Sequence, residues 1–134
     1  MPHHLFVYGT LRADAAGSAH ARLMRGVRRV GRAAIGGVLY DAGRYPAAVP
    51  SAHPADRIAG ELYVVSAGAA DALLAALDDY EGYDADAPDE SLFVRRIVQA
   101  AGEDGRCAAA WAYFYNRPVD GLPRVVSGDW LPGA

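Results

Sequence analysis

Apolar residues run unbroken through Leu5, Phe6, Val7 and Tyr8, stop at Gly9 and Thr10, and give way to a cation at Arg12. A short continuous apolar run bounded by a turn residue reads as a buried strand, here about residues 3–8. Residues 27–41 and 57–65 are rich in strand formers, and the first of these is interrupted by Gly31, Gly36 and Gly37. Glycines inside strands mark bulges or bends, which a small closed barrel needs. Between them, Tyr45 to Pro50 make a short extended piece bounded by prolines. From Ser66 the period changes: Ala70, Leu73, Leu74 and Leu77 recur at helical spacing, predicting a helix over about 67–81 that ends before Gly82. Residues 91–101 and 106–115 read as a hairpin joined by 102–105. Along its second arm Trp111, Tyr113 and Tyr115 share one face, and Ala110, Ala112 and Phe114 the other. Ser18 offers a cap for a short helix carrying Ala19, Leu23 and Met24, and residues 117–134, with three prolines, predict an irregular tail. Several strands and one main helix without βαβ alternation indicate an α+β fold with a mixed or antiparallel sheet.

Helix phase sorts the acids at the end of the main helix. Advancing about 100° per residue, Glu81 lies four positions beyond Leu77 and seven beyond Leu74, so it continues the apolar stripe inward. Asp78 falls on the rim of that stripe, and Asp79 points nearly the opposite way, toward solvent. Burial and the negative end of the helix dipole both disfavour a carboxylate at the Glu81 position. An acid tuned upward in this way suits a general base near neutral pH. The spacing is equally that of a helix-end acid paired with Arg95 or Arg96. Near the start of the chain, a turn at Gly9 and Thr10 right behind a strand can aim successive N–H groups at an anion.

Composition narrows the remaining choices. A length of 134 residues fits one domain, with a core over about 3–116 and the tail beyond. No apolar run approaches a membrane span and no charged-then-apolar leader opens the chain, so neither membrane nor export is expected. One cysteine, Cys107, excludes an intramolecular disulfide and fits a cytoplasmic protein; inside a strand it is expected to be a buried small hydrophobe. All 13 basic residues are arginine, which excludes a Schiff-base lysine and a P-loop lysine. Arginines 22, 25, 28, 29 and 32 form a basic stretch, read as a solvated helix-to-strand connection. With a net charge of −3 and no second basic cluster, nucleic acid is not an expected partner. His3 and His4 open the first strand, and His20 and His53 have no spaced partner, so neither a metal site nor a Ser/His dyad is expected.

The pieces YGTLR (8–12), YPA (45–47), GELY (60–63), LDDYEGY (77–83), the R-x-x-V strand around Arg95 and Val98, and WAYFY (111–115) resemble, in order, those of the γ-glutamylcyclotransferase-like superfamily, including its bacterial branch and the γ-glutamylamine cyclotransferases. YGTLR followed about 70 residues later by D-x-Y-E-G is the specific pair. One departure is visible: an aromatic-x-Arg element that is often Tyr-x-Arg stands here as Phe93, Val94, Arg95.

The resemblance implies a small β-barrel flanked by helices, with a cavity at the Gly-Thr turn and no metal or organic cofactor. The implied substrate is a small molecule carrying a γ-glutamyl group, whose α-amine closes a lactam, 5-oxoproline, and expels an amine. On that reading Glu81 moves the proton, and the N–H groups of Gly9, Thr10 and Leu11 hold a carboxylate or the developing oxyanion. Tyr8 and Tyr115 either line the pocket or pack the core; Arg12 binds a substrate carboxylate or a surface acid; Tyr45 touches substrate or only shapes its turn. A non-catalytic domain of the same fold that binds a small acidic metabolite is the competing expectation.

Overall fold

The structure is a computed structural model that describes residues 4–9, 23–24 and 27–130. Its centre is a closed five-stranded barrel of order β1 (His4–Val7), β5 (Arg57–Val64), β2 (Arg28–Gly36), β6 (Phe93–Gly102) and β7 (Cys107–Tyr115). Neighbours are antiparallel except β1 and β7, which run parallel through His4–Ala110 and Leu5–Trp111 and close the ring. A separate two-stranded sheet, β3 (Val38–Asp41) with β4 (Pro46–Val49), leaves the barrel at Gly37. The single described helix of more than one turn, α1 (Ala70–Glu81), is preceded by a 3-10 turn at Ala67–Ala69. The α+β expectation therefore holds, with the sheet closed on itself.

Strand alternation divides the core in two. Phe6, Ala33, Ile35, Ile58, Leu62, Ala100, Ala110, Ala112 and Phe114, from all five strands, meet inside the barrel. A five-stranded barrel is narrow, so alanines lie opposite the aromatic rings that fill it. Leu5, Val7, Tyr63, Trp111 and Tyr113 point the other way and receive Ala70, Leu73, Leu74 and Leu77 of α1. The helical stripe and the aromatic face of the hairpin thus bury each other.

The helix stops where the spacing places its end. Gly82 adopts the left-handed conformation (φ 72°), and its N–H together with that of Tyr83 (2.8 Å to the Asp78 carbonyl) satisfies the last turn. Glu81 is therefore the last helical residue, held at the barrel end where β1 finishes. The register of β2 against β5 shifts between Arg29 and Gly31, a bulge at one of the expected glycines. The tail is irregular but tied down: Asp41 N–H bonds the Pro123 carbonyl and Val125 N–H bonds that of Leu39, both at 2.8 Å.

Two expectations are corrected. Cys107 is exposed, because it is the first residue of β7 beside the projecting hairpin turn rather than inside the barrel. Arg28, Arg29 and Arg32 lie on β2 itself, where Arg29 pairs with Glu61 (2.8 Å) and Arg32 with Asp129 (3.1 Å). Arg22, Arg25, the Ser18 cap, His3, His20 and Pro132 lie outside the described residues. No helix among those residues is long and apolar enough to cross a membrane.

Candidate active site

The end of β1, the β3–β4 turn, the last turn of α1 and the facing parts of β6 and β7 enclose a cavity of about 350 Å³. That volume suits a small molecule of amino-acid or dipeptide size. Tyr8 and Gly9 directly follow β1, Arg44 and Tyr45 come from the β3–β4 turn, Pro46 opens β4, and Tyr80 and Glu81 belong to α1. Leu92, Phe93 and Tyr113 complete the wall. It is mostly apolar; among the described lining residues Glu81 is the one acid and Arg44 the one cation.

Burial pushes the Glu81 carboxyl up to about 7. No cation among the described residues pairs with it. Arg95, a partner that spacing allowed, instead bonds Asp78, with Nη1 donating to both carboxylate oxygens at 2.9 Å. Arg96 is exposed, and so is Asp79. The two acids that straddle the inner edge of α1 are thus treated oppositely: Asp78 is neutralised, and Glu81 faces the cavity without a counter-ion among the described residues.

The tyrosines are also ordered by what surrounds them. Tyr8 is buried, and burial first and the Glu81 charge second raise its pKa, partly offset by the Ala48 N–H. Its hydroxyl donates to the main-chain carbonyl of Tyr113. Burial, then a hydrogen bond and charge from Asp78, raises the pKa of Tyr113, whose hydroxyl donates to Asp78 Oδ1 at 2.5 Å. Tyr45 is raised by burial and by its contact with Tyr115. Its ring meets Phe93 edge-on at 5.6 Å, and Phe93 meets Tyr115 likewise at 5.5 Å. Phe93 thus offers a ring and no hydroxyl to the cavity.

Of the sequence-derived candidates, Tyr8, Gly9, Tyr45 and Glu81 come together around one space. Tyr115 does not line it; it stands one layer back, against Tyr45 and Phe93. Thr10, Leu11 and Arg12 lie outside the described residues. Tyr113, Tyr80 and Arg44 had not been singled out as site residues. For Tyr113 the signal was present, since it alternates onto the same face as Trp111 and Tyr115. Among the described residues no group of three or more His, Cys, Asp or Glu side chains is placed to hold a metal ion.

A family model described as "Gamma-glutamyl cyclotransferase, AIG2-like" matches residues 5–132, a span that includes every wall of this cavity. The chain belongs to that family. Like other members it is recognisable by sequence: it is 34% identical over 128 residues to the gamma-glutamylcyclotransferase family protein YtfP of Escherichia coli K12, covering 95% of each chain. The solution NMR structure of ytfP from Escherichia coli superposes with a TM-score of 0.63 at 32% identity, over 96% of both chains. An AIG2-like protein from Mus musculus superposes at 0.69 over 93% of this chain and 86% of its own; at 23% identity that likeness concerns the fold.

Proposed function

We propose that this γ-glutamyl cyclotransferase family member closes a γ-glutamyl amine or amide to 5-oxoproline and releases the amine, with Glu81 as general acid and base. The observation that carries this reading is the state of Glu81: a cavity-facing carboxyl that burial brings to about 7, with the neighbouring arginine committed to Asp78. A structural helix-end acid would have taken that arginine itself.

The step balances within the substrate. Glu81 accepts a proton from the α-ammonium, and the freed amine attacks the γ-carbonyl carbon. The developing oxyanion falls to main-chain N–H groups of the turn that begins at Gly9, continuing in this proposal through Thr10 and Leu11. The bond to the leaving nitrogen then breaks as Glu81 returns that proton, and the second proton, lost from the attacking nitrogen as the lactam forms, passes through the regenerated Glu81 carboxylate to the released amine, which departs as an ammonium ion. The apolar walls from Phe93, Leu92 and Tyr45 hold the glutamyl chain folded, so that amine and carbonyl meet before reaction. Tyr115 serves this site only from behind Tyr45 and Phe93, and Arg12 keeps its proposed role of binding the substrate carboxylate.

A deprotonated Glu81 is required at the start, so the rate should rise with pH and level off above about 7. Below that value it should fall roughly tenfold for each unit of pH. A pH profile of kcat that is flat across this window would remove Glu81 as the base. Soaking with 5-oxoproline gives an independent check: the product is expected between the Gly9 turn and Glu81. Product bound at another place in a crystal would count against the assignment of this cavity.

A further inference from the structure

The base and the oxyanion turn lie about 70 residues apart in the chain, and both are tied to one residue that neither role uses. Tyr113 sits near the end of β7, buried and part of the cavity wall. Its hydroxyl bonds Asp78, three residues before Glu81 on the last turn of α1. Its main-chain carbonyl accepts the hydroxyl of Tyr8, the residue that leads into Gly9. Arg95 grips the same Asp78 from β6, and its guanidinium lies over the Tyr83 ring at 5.6 Å from the centroid, just beyond the helix end.

We infer that Tyr113 is a positioning residue that keeps the two halves of the site in register, its hydroxyl anchoring the helix turn of Glu81 and its carbonyl anchoring Tyr8 ahead of the Gly9 turn. Simple packing explains the ring but not this arrangement. A ring serving only the core needs no acceptor chosen from the helix turn that carries the base. Two anchors on one residue also make the separation of the two halves a property of a single peptide unit in a sheet. Sheet positions move less than loop ends, and a displacement of about 1 Å in a reacting group can cost ~100-fold in rate.

Tyr113→Phe removes the hydroxyl anchor and leaves the ring and the carbonyl. We expect kcat to fall by ~10- to ~100-fold with KM little changed. Release of the turn also admits water to Glu81, so its carboxyl should titrate lower, moving from about 7 toward 4.5. Among the described residues, the titratable and charged groups that share the cavity with Glu81 are Tyr8 just after β1, Arg44 and Tyr45 from the β3–β4 turn, Tyr80 from α1 and Tyr113 itself. Only the last is changed, and β6 contributes uncharged Phe93 there while its Arg95 remains on Asp78. Asp78→Asn keeps an oxygen acceptor for the Tyr113 hydroxyl and should recover most of the rate that Asp78→Ala loses.

The rate measurements rest on the cyclisation proposed above, whereas the titration of Glu81, followed by carbon-13 NMR without substrate, does not. Absence of turnover in the unaltered protein would therefore defeat the cyclisation and leave the positioning inference to the titration. An unchanged kcat together with an unchanged Glu81 titration in Tyr113→Phe overturns the inference, even if the melting temperature drops. Should that variant fail to fold, equal Glu81 titrations in Asp78→Ala and Asp78→Asn overturn it instead.

Discussion

Replacement of Glu81 by glutamine is expected to lower release of 5-oxoproline from γ-glutamyl compounds by ~10²- to ~10⁴-fold, the range for loss of a general base. Glutamine fills the same space at the cavity wall but cannot accept the ammonium proton at any accessible pH. The loss should come without unfolding, and the direction of the stability change follows from linkage. The Glu81 carboxyl is raised from 4.5 to about 7 in the folded state. Its contribution is therefore most favourable at low pH and is lost as pH rises through about 7, because a desolvated carboxylate must then be carried by the folded protein. The glutamine variant has no such charge to bury. At about pH 8 its melting temperature should equal or exceed that of the unaltered protein. Equal turnover by both proteins would take Glu81 out of the mechanism. A lower melting temperature for the variant above pH 7 would contradict a desolvated carboxylate at this position.

That Glu81 faces inward was legible because it depends on one local period, fixed by Leu74 and Leu77 and stopped by Gly82. Which acid Arg95 would choose was not. Asp78 and Glu81 stand three residues apart, less than one turn, and β6 could have arrived beside either. The choice depends on the angle at which α1 crosses the hairpin, which no local pattern encodes. The same holds for Tyr113 and Tyr115. Alternation put both on the helix-facing side, yet the cavity meets only the former, because Tyr45 and Phe93 stand between Tyr115 and the space. Closure of the barrel by parallel pairing of β1 with β7 is likewise a contact between distant segments. The glycines at 31 and 37 announced irregular strands but not which strand each would face. Cys107 shows the opposite limit: its strand was anticipated, but its exposure depends on how far the hairpin projects past the barrel. The short string at the Gly9 turn carried more about kinship than its physics could.

The largest effect on folding is expected from a residue that touches no candidate substrate, Gly60. It lies on β5 between Ile58 and Leu62, the two side chains of that strand that enter the barrel, so a side chain at 60 would enter too. The space is already taken. A Cβ there would stand 2.2 Å from the Val7 carbonyl oxygen and 2.7 Å from the Phe6 ring. The ring could tilt, but the carbonyl belongs to the backbone of β1, paired with β5 along its whole length from His4–Val64 to Val7–Glu61. Gly60→Ala must therefore push the end of β1 away from β5, and overpacking of this kind costs about 3 kcal/mol or more. Gly68→Ala is the matched control, since a Cβ there meets nothing within 4 Å. It should leave the urea midpoint unchanged or raise it slightly, while Gly60→Ala lowers it sharply. Adding Phe6→Leu to Gly60→Ala separates the two contacts: it relieves the ring but not the carbonyl, so most of the loss should remain. A midpoint restored by Phe6→Leu would place the restriction in the ring, and an unaltered midpoint for Gly60→Ala alone would refute the close approach. Because the displaced strand end is the one that delivers Tyr8 and Gly9 to the cavity, whatever folded protein survives should also turn over more slowly. The tightness of the barrel at Gly60 and the placement of the candidate oxyanion turn are thus one constraint, felt first as stability and then as rate.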